Sequence, residues 1–148
     1  MSSFSIIRIV TKLLIPYIIL FGLYVQFHGD YGPGGGFQAG VIFGAALILY
    51  GLVFGLSAAQ RVAPPDVIVR LIALGVLIYA GTGVATLLLG GNFLDYNVLE
   101  HEIFPQVIPH GQHLGIFLVE LGVGITVTSV MAMIFYCFAG REAVVREP

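Results

Sequence analysis

The sequence predicts an all-α, polytopic membrane protein with four transmembrane helices and both termini cytoplasmic. Three observations predict it. Of 148 residues, 58% are hydrophobic and only 9% are charged, whereas a soluble domain carries about 25% charged residues. Four apolar runs are each long enough to cross a bilayer as helix, which takes roughly 20 residues. All six Lys and Arg residues fall on one side of those runs. This composition cannot supply a polar surface, so a water-soluble globule is excluded. The length allows one unit, and residues 1–148 read as a single transmembrane domain. The runs are continuous rather than alternating, and a barrel needs more spans, so strands do not fit. Six basic residues leave no nucleic-acid footprint. A single cysteine, Cys137, excludes an internal disulfide framework and a cysteine-based metal cluster.

The first run extends from about Ile9 to Phe27. Arg8 and Lys12 precede its apolar part, as in a signal peptide. The run is too long for one, however, Pro16 and Tyr17 sit inside it, and no small-x-small cleavage site precedes His28, so it reads as a retained helix. The second run, about Phe37 to Leu56, contains no charge. Ala63-Pro64-Pro65-Asp66 ends it and caps the approach to the third, about Leu71 to Leu89. The fourth runs from about Leu114 to Phe138. The connection before it holds Pro105, Pro109 and the apolar set Ile103, Phe104, Val107 and Ile108. That pattern suggests an ordered loop or an interfacial turn on the membrane, not a domain.

Orientation follows from the charges. Arg8 and Lys12 lie at the start of the first run, Arg61 and Arg70 between the second and third, and Arg141 and Arg146 after the fourth. By the positive-inside rule these segments are cytoplasmic. The far side holds Asp30, Asp95, Glu100, Glu102 and all four histidines, His28, His101, His110 and His113. That face is acidic and titratable near pH 6, which would concentrate cations weakly. It reads equally well as a solvated surface left over from charge sorting.

The most unusual local feature is Gly32-Pro33-Gly34-Gly35-Gly36-Phe37-Gln38-Ala39-Gly40. It is no phosphate-binding loop, since no Lys follows its glycines. A dinucleotide fingerprint would need a preceding strand and an acidic residue about twenty positions on. Packing explains it better. Gly36, Gly40 and Gly44 recur at every fourth residue, a spacing that lets another helix backbone approach closely. The motif therefore predicts either a tight helix junction or a broken, ion-facing helix start. Gln38 shares that helix start, which makes it a transport candidate.

Glu120 is the one acidic residue well inside a span, about 9 Å along the fourth run from the far side at 1.5 Å per residue. An ionisable group in a span costs about 2.5–3.5 kcal/mol on insertion scales. Glu120 is thus expected to be protonated, paired with a neighbouring chain or facing water. It is the second transport candidate, against a structural hydrogen-bonding role or a wet position near the interface. Thr82, Thr86, Thr126, Thr128 and Ser129 are expected to hydrogen-bond across helices or to their own backbone. His110-x-x-His113 has weakly specific zinc spacing and no metal is assigned. Haem would need histidines on facing helices. No nucleophile–base pair marks an enzyme, and no cofactor is called for.

His28-Gly29-Asp30-Tyr31-Gly32-Pro33-Gly34-Gly35-Gly36-Phe37-Gln38-Ala39-Gly40, opening an all-apolar helix, resembles the signature of MnhB-type proteins (MrpB), one component of the multi-subunit Mrp-type Na⁺/H⁺ antiporters. His110-Gly111-Gln112-His113-Leu114-Gly115, leading into a helix with an internal Glu, is also similar to the family. The resemblance covers nearly the whole chain. It implies a non-catalytic component of a hetero-oligomeric complex in the cell (inner) membrane, with MrpA, MrpC, MrpD, MrpE, MrpF and MrpG as partners. Such a complex exchanges Na⁺ for H⁺, driven by the proton-motive force. It implies a place in the module of small components near the end of MrpA, where Pro33, Gly34, Gly35, Gly36 and Phe37 would shape the helix start against a neighbouring chain. Related proteins occur in membrane-bound hydrogenases and other complex I-like redox complexes, so a structural role in such a complex is the alternative.

Overall fold

The computed structural model describes residues 3–29, 31–102 and 111–141. These form six helices: α1 (Ser3–His28), α2 (Gly36–Phe54), α3 (Leu56–Val62), α4 (Pro65–Leu88), α5 (Asn97–Glu102) and α6 (Gly111–Gly140). No strand is present among the described residues. Four of the helices, α1, α2, α4 and α6, are long and apolar enough to cross a membrane. The expected turn of Ile103, Phe104, Pro105, Val107, Ile108 and Pro109, and also Arg146, lie outside the described residues.

The spans match the expected runs, and the ends differ for local reasons. Helix α1 begins six residues earlier than its apolar run, because a helix can carry Arg8 and Lys12 where hydropathy alone stops. Pro16 lies inside it, which removes one intrahelical hydrogen bond. The second span stops at Phe54 rather than Leu56, because Gly55 adopts φ +94° and gives its N–H to Gly51 O at 2.9 Å. The chain then restarts as α3, a helix that continuous hydropathy conceals. The third span begins at Pro65 rather than near Leu71. Proline suits the first helical position, where an N–H has no partner in any case, and Asp66 follows in the first turn.

Helices α2 and α6 form the centre, with α1 packed on α2 and α4 packed on α6. The two central helices run parallel. Gly36 faces Glu120, Gly40 faces Gly124 and Val127, Gly44 faces Met131 and Gly51 faces Phe135. The glycines spaced along α2 thus meet a helix of the same chain. A methyl at Gly40 would stand 2.8 Å from Gly124 O and 2.9 Å from Val127 Cβ, so only a glycine lets these backbones meet. Helix α4 is antiparallel to α6 and uses the same device, with Gly75 against Gly122 O and Thr126. The ends of α1 and α6 that carry Ser3 and Gly140 consequently share one end of the bundle.

That end also holds a buried apolar cluster, Ala59, Ile68, Ala132 and Tyr136. Tyr136 donates to Ala63 O at 3.0 Å, tying α6 to the α3–α4 link. Lys12 Nζ lies 5.7 Å from the Phe54 ring centre at the same end. Threonines inside the spans return their hydroxyls to the backbone: Thr82 to Ile78 O, Thr126 to Gly122 O and Thr128 to Gly124 O. Thr128 also reaches Gly40 O at 3.1 Å, across the central interface. At the opposite end Thr86 donates to Gly83 O and accepts the N–H of Leu94, pinning the connection that follows α4. Tyr96 in that connection would meet any side chain at Gly115. Burial, and after it neighbouring Tyr79, push its phenol above the usual range, so it stays protonated.

Candidate functional site

The site forms where α1 hands over to α2. His28 O accepts the N–H groups of Tyr31 and Gly32 at 3.0 and 3.1 Å, which turns the chain at the end of α1. Gly35 then gives its N–H to Val25 O at 3.1 Å, folding the loop back on the last turn of α1. Gly35 holds φ +107°, a conformation L side chains rarely adopt. Its carbonyl accepts the first bond of α2, from Ala39 N–H at 3.1 Å. The N–H groups of Gly36, Phe37 and Gln38 precede that bond, and such first-turn donors have no acceptor within their own helix. The positive end of the α2 dipole lies here.

Helix α6 delivers Glu120 to this place. Its carboxylate lies against Gly29 and Gly35, and its backbone lies against Gly36. A Cβ on Gly35 would stand 2.8 Å from Glu120 Oε1. Two glycines, Gly29 and Gly35, thus make room for one half-buried carboxylate, and Gly36 makes room for its backbone. The sequence presents the glycine motif and Glu120 as separate candidates, and the fold brings them together. It also provides something sequence reasoning did not supply, a favourable setting for the charge, since anions are stabilised beside a helix amino end.

The level of Glu120 follows from α2. Nineteen residues at 1.5 Å each make α2 about 28 Å long, close to the thickness of a hydrocarbon layer. Gly36 opens that helix, and Glu120 is level with it.

The other expected site residues are distributed around this centre. Gly34 lies beneath Val25 O. Gly40 and Gly44 lie deeper, in the α2–α6 contact. Pro33, Phe37 and Gln38 are exposed on the outside of the chain, so the fold does not bring Gln38 into the buried centre. His28 stacks on Tyr24 with ring centres 5.2 Å apart, and His113 stacks on Tyr31 at 6.2 Å. Asp30 and His110 lie outside the described residues. Among the described residues no group of three or more His, Cys, Asp or Glu is placed to hold a metal ion.

Gln26 is the residue that sequence reasoning missed. It is only 5% exposed, and its Nε2 has no hydrogen-bond partner among the described residues. Its Oε1 crowds Gly124, one turn along α6 from Glu120. Beside it is a cavity of about 280 Å³ between α1, α2, α4 and α6, whose walls include Phe27, Phe43, Phe117, Thr128 and Ser129. A polar residue one position from the end of an apolar run looks interfacial in sequence. No signal there shows that α6 closes over it.

Known proteins resemble this chain along nearly its full length. A family described as a domain related to the MnhB subunit of Na⁺/H⁺ antiporters matches residues 6–133. Similar proteins carry the name "Putative antiporter subunit mnhB2". One from Staphylococcus epidermidis is 33% identical over 138 residues, covering 93% of this chain and 96% of its own. One from Staphylococcus haemolyticus is 34% identical over the same shares of the two chains. One from Staphylococcus aureus is 32% identical, again over 93% and 96%.

Proposed function

The chain belongs to the family of domains related to the MnhB subunit of Na⁺/H⁺ antiporters, and from that premise we propose that it is a non-catalytic, multi-pass component of a Na⁺/H⁺ antiporter complex. In this reading the complex lies in the cell membrane and is driven by the proton-motive force. Its other members are MrpA, MrpC, MrpD, MrpE, MrpF and MrpG. The basic residues Arg8, Lys12, Arg61, Arg70 and Arg141 support a cytoplasmic position for both termini. Within the chain, Glu120 is the group that takes up and releases the coupled proton or cation.

One observation carries the assignment of Glu120. A half-buried carboxylate sits at the amino end of α2, in a space that Gly29 and Gly35 keep free of side chains, while Gly36 lets the α6 backbone approach. The exchange chemistry is a proton equilibrium: an O–H bond forms at the carboxylate and breaks again, with the cation neutralising the charge in between. Gln38, exposed on α2, is assigned a contact with a neighbouring chain rather than with the ion.

The test is Glu120→Gln in the assembled complex. Everted vesicles are expected to lose Na⁺-dependent proton release, while the yield of co-purified partner chains stays at the native level. Native exchange in that variant would remove Glu120 from the ion path. Co-purification with nickel or iron–sulfur proteins in place of antiporter components would overturn the assignment to an antiporter.

A further inference from the structure

Asp66 and Arg70 are the only charged residues of α4. Both are exposed, and among the described residues neither has an ion-pair partner. They stand four residues apart, so they share a face of the helix, with Arg70 about 6 Å nearer its middle. Twenty-four residues make α4 about 36 Å long, against roughly 30 Å for a hydrocarbon layer. A charge inside that layer is costly, so the surplus length belongs at the end that carries Asp66 and Arg70. Gly75, on the opposite face of α4, packs against Gly122 O and Thr126. The charged face is therefore the one that α4 turns away from α6.

Beyond Arg70 the same face opens into a hollow of about 390 Å³, lined by Val67, Arg70, Leu71, Ala73, Leu74 and Leu77. From the start of α4 toward its middle, the face thus presents a carboxylate, a guanidinium and then exposed apolar side chains. A phospholipid with an amine headgroup is complementary at each step. Its ammonium is outermost, its phosphate comes next, and its acyl chains run toward the middle of the membrane. A guanidinium grips phosphate oxygens through paired N–H donors. The Asp66 carboxylate accepts hydrogen bonds from the ammonium. An anionic headgroup without an amine would bring no cation to Asp66 and would meet its charge with a like one. A choline headgroup carries no N–H to donate.

We propose that this face of α4 is a binding site for a phosphatidylethanolamine-type lipid, with Arg70 on the phosphate, Asp66 on the ammonium and an acyl chain along Ala73, Leu74 and Leu77. Binding is non-covalent and leaves both charges neutralised at the membrane surface. The site stands apart from Glu120, and it holds whether or not Glu120 carries the ion.

The test uses the purified whole complex in lipid nanodiscs that contain phosphatidylethanolamine with a photoreactive diazirine in its acyl chain. After illumination, mass spectrometry is expected to find the adduct on α4, at Ala73, Leu74 or Leu77. Unlabelled phosphatidylethanolamine is expected to displace it about tenfold better than phosphatidylcholine or phosphatidylglycerol, the scale of one hydrogen bond to a charged group. Arg70→Gln is expected to cut the α4 adduct about tenfold. Asp66→Asn is expected to keep the adduct and to erase the advantage of phosphatidylethanolamine over phosphatidylglycerol. Equal displacement by all three lipids would mean ordinary bulk lipid and overturn the site. Stronger displacement by phosphatidylglycerol would leave Asp66 without a role and overturn it as well. An α4 free of adducts would mean that another chain covers this face, and would end the proposal. If Arg70→Gln fails to assemble, displacement in the native complex decides.

Discussion

Glu120 Oε1 and Gly35 are so close that a methyl group on Gly35 would stand 2.8 Å from the oxygen. Gly35 also holds φ +107°. One residue is thus glycine for two independent reasons, one set by its own backbone and one by a helix distant in sequence.

Gly35→Ala should therefore cost more than strain alone. A strained backbone conformation costs about 1–3 kcal/mol, and displacement of the Glu120 carboxylate adds to it. Gly55→Ala is the control, because Gly55 holds φ +94° with nothing within 4 Å of the added methyl. The expected result is a lower unfolding temperature for both, and loss of ion exchange only for Gly35→Ala. Equal loss of exchange in both variants would show that general destabilisation explains the effect.

Gly40→Leu should fail inside the chain, before any partner is met. The added side chain runs into Gly124 O and Val127, and overpacking of this kind costs typically about 1–3 kcal/mol or more. Expressed without its partner chains, the variant should give less folded protein than the native sequence. A native yield of folded chain with loss of the complex would place the damage at an interchain contact instead.

Thr86→Val should loosen the connection after α4. Thr86 is fully buried and accepts the Leu94 N–H at 3.0 Å. Removal of the hydroxyl leaves that N–H unpaired, at about 1–3 kcal/mol. Hydrogen exchange at Leu94 is expected to rise in Thr86→Val and to stay slow in Thr86→Ser.

Tyr136→Phe removes the bond to Ala63 O and keeps the ring. The expected loss is about 1 kcal/mol. Tyr136→Ala also empties part of the Ala59–Ile68–Ala132 cluster, and a truncation of that size costs about 3–5 kcal/mol. Thermal unfolding in detergent should rank native, Tyr136→Phe and Tyr136→Ala in that order.

Much of the architecture was legible because lipid imposes a coarse rule. A run of roughly twenty apolar residues must be a helix there, so the four spans followed from hydropathy alone. The break at Gly55 was not legible, since Leu56 is as apolar as Phe54 and only φ separates the two helices. Neighbour relations were hidden as well. The spacing of Gly36, Gly40 and Gly44 announced a close helix contact, but nothing in it named α6 as the partner. The same gap concealed the site. Glu120 and the glycine loop each stood out, yet the contact between them depends on α6 lying parallel to α2. Gln26 is polar in a place where polar residues are common, so its burial required the fold to be seen.

The parallel pairing of α2 with α6 has a consequence for biogenesis. Synthesis runs from the amino terminus, so α2 leaves the ribosome long before its principal neighbour exists. Until α6 enters the bilayer, the glycine face of α2 has only lipid to meet, and α4 lacks the helix it packs on. The native bundle is thus completed only when α6 is made. A nascent chain that stops before Gly111 is left with α1 on α2 and with α4 unattached, an open form that quality-control proteases can recognise.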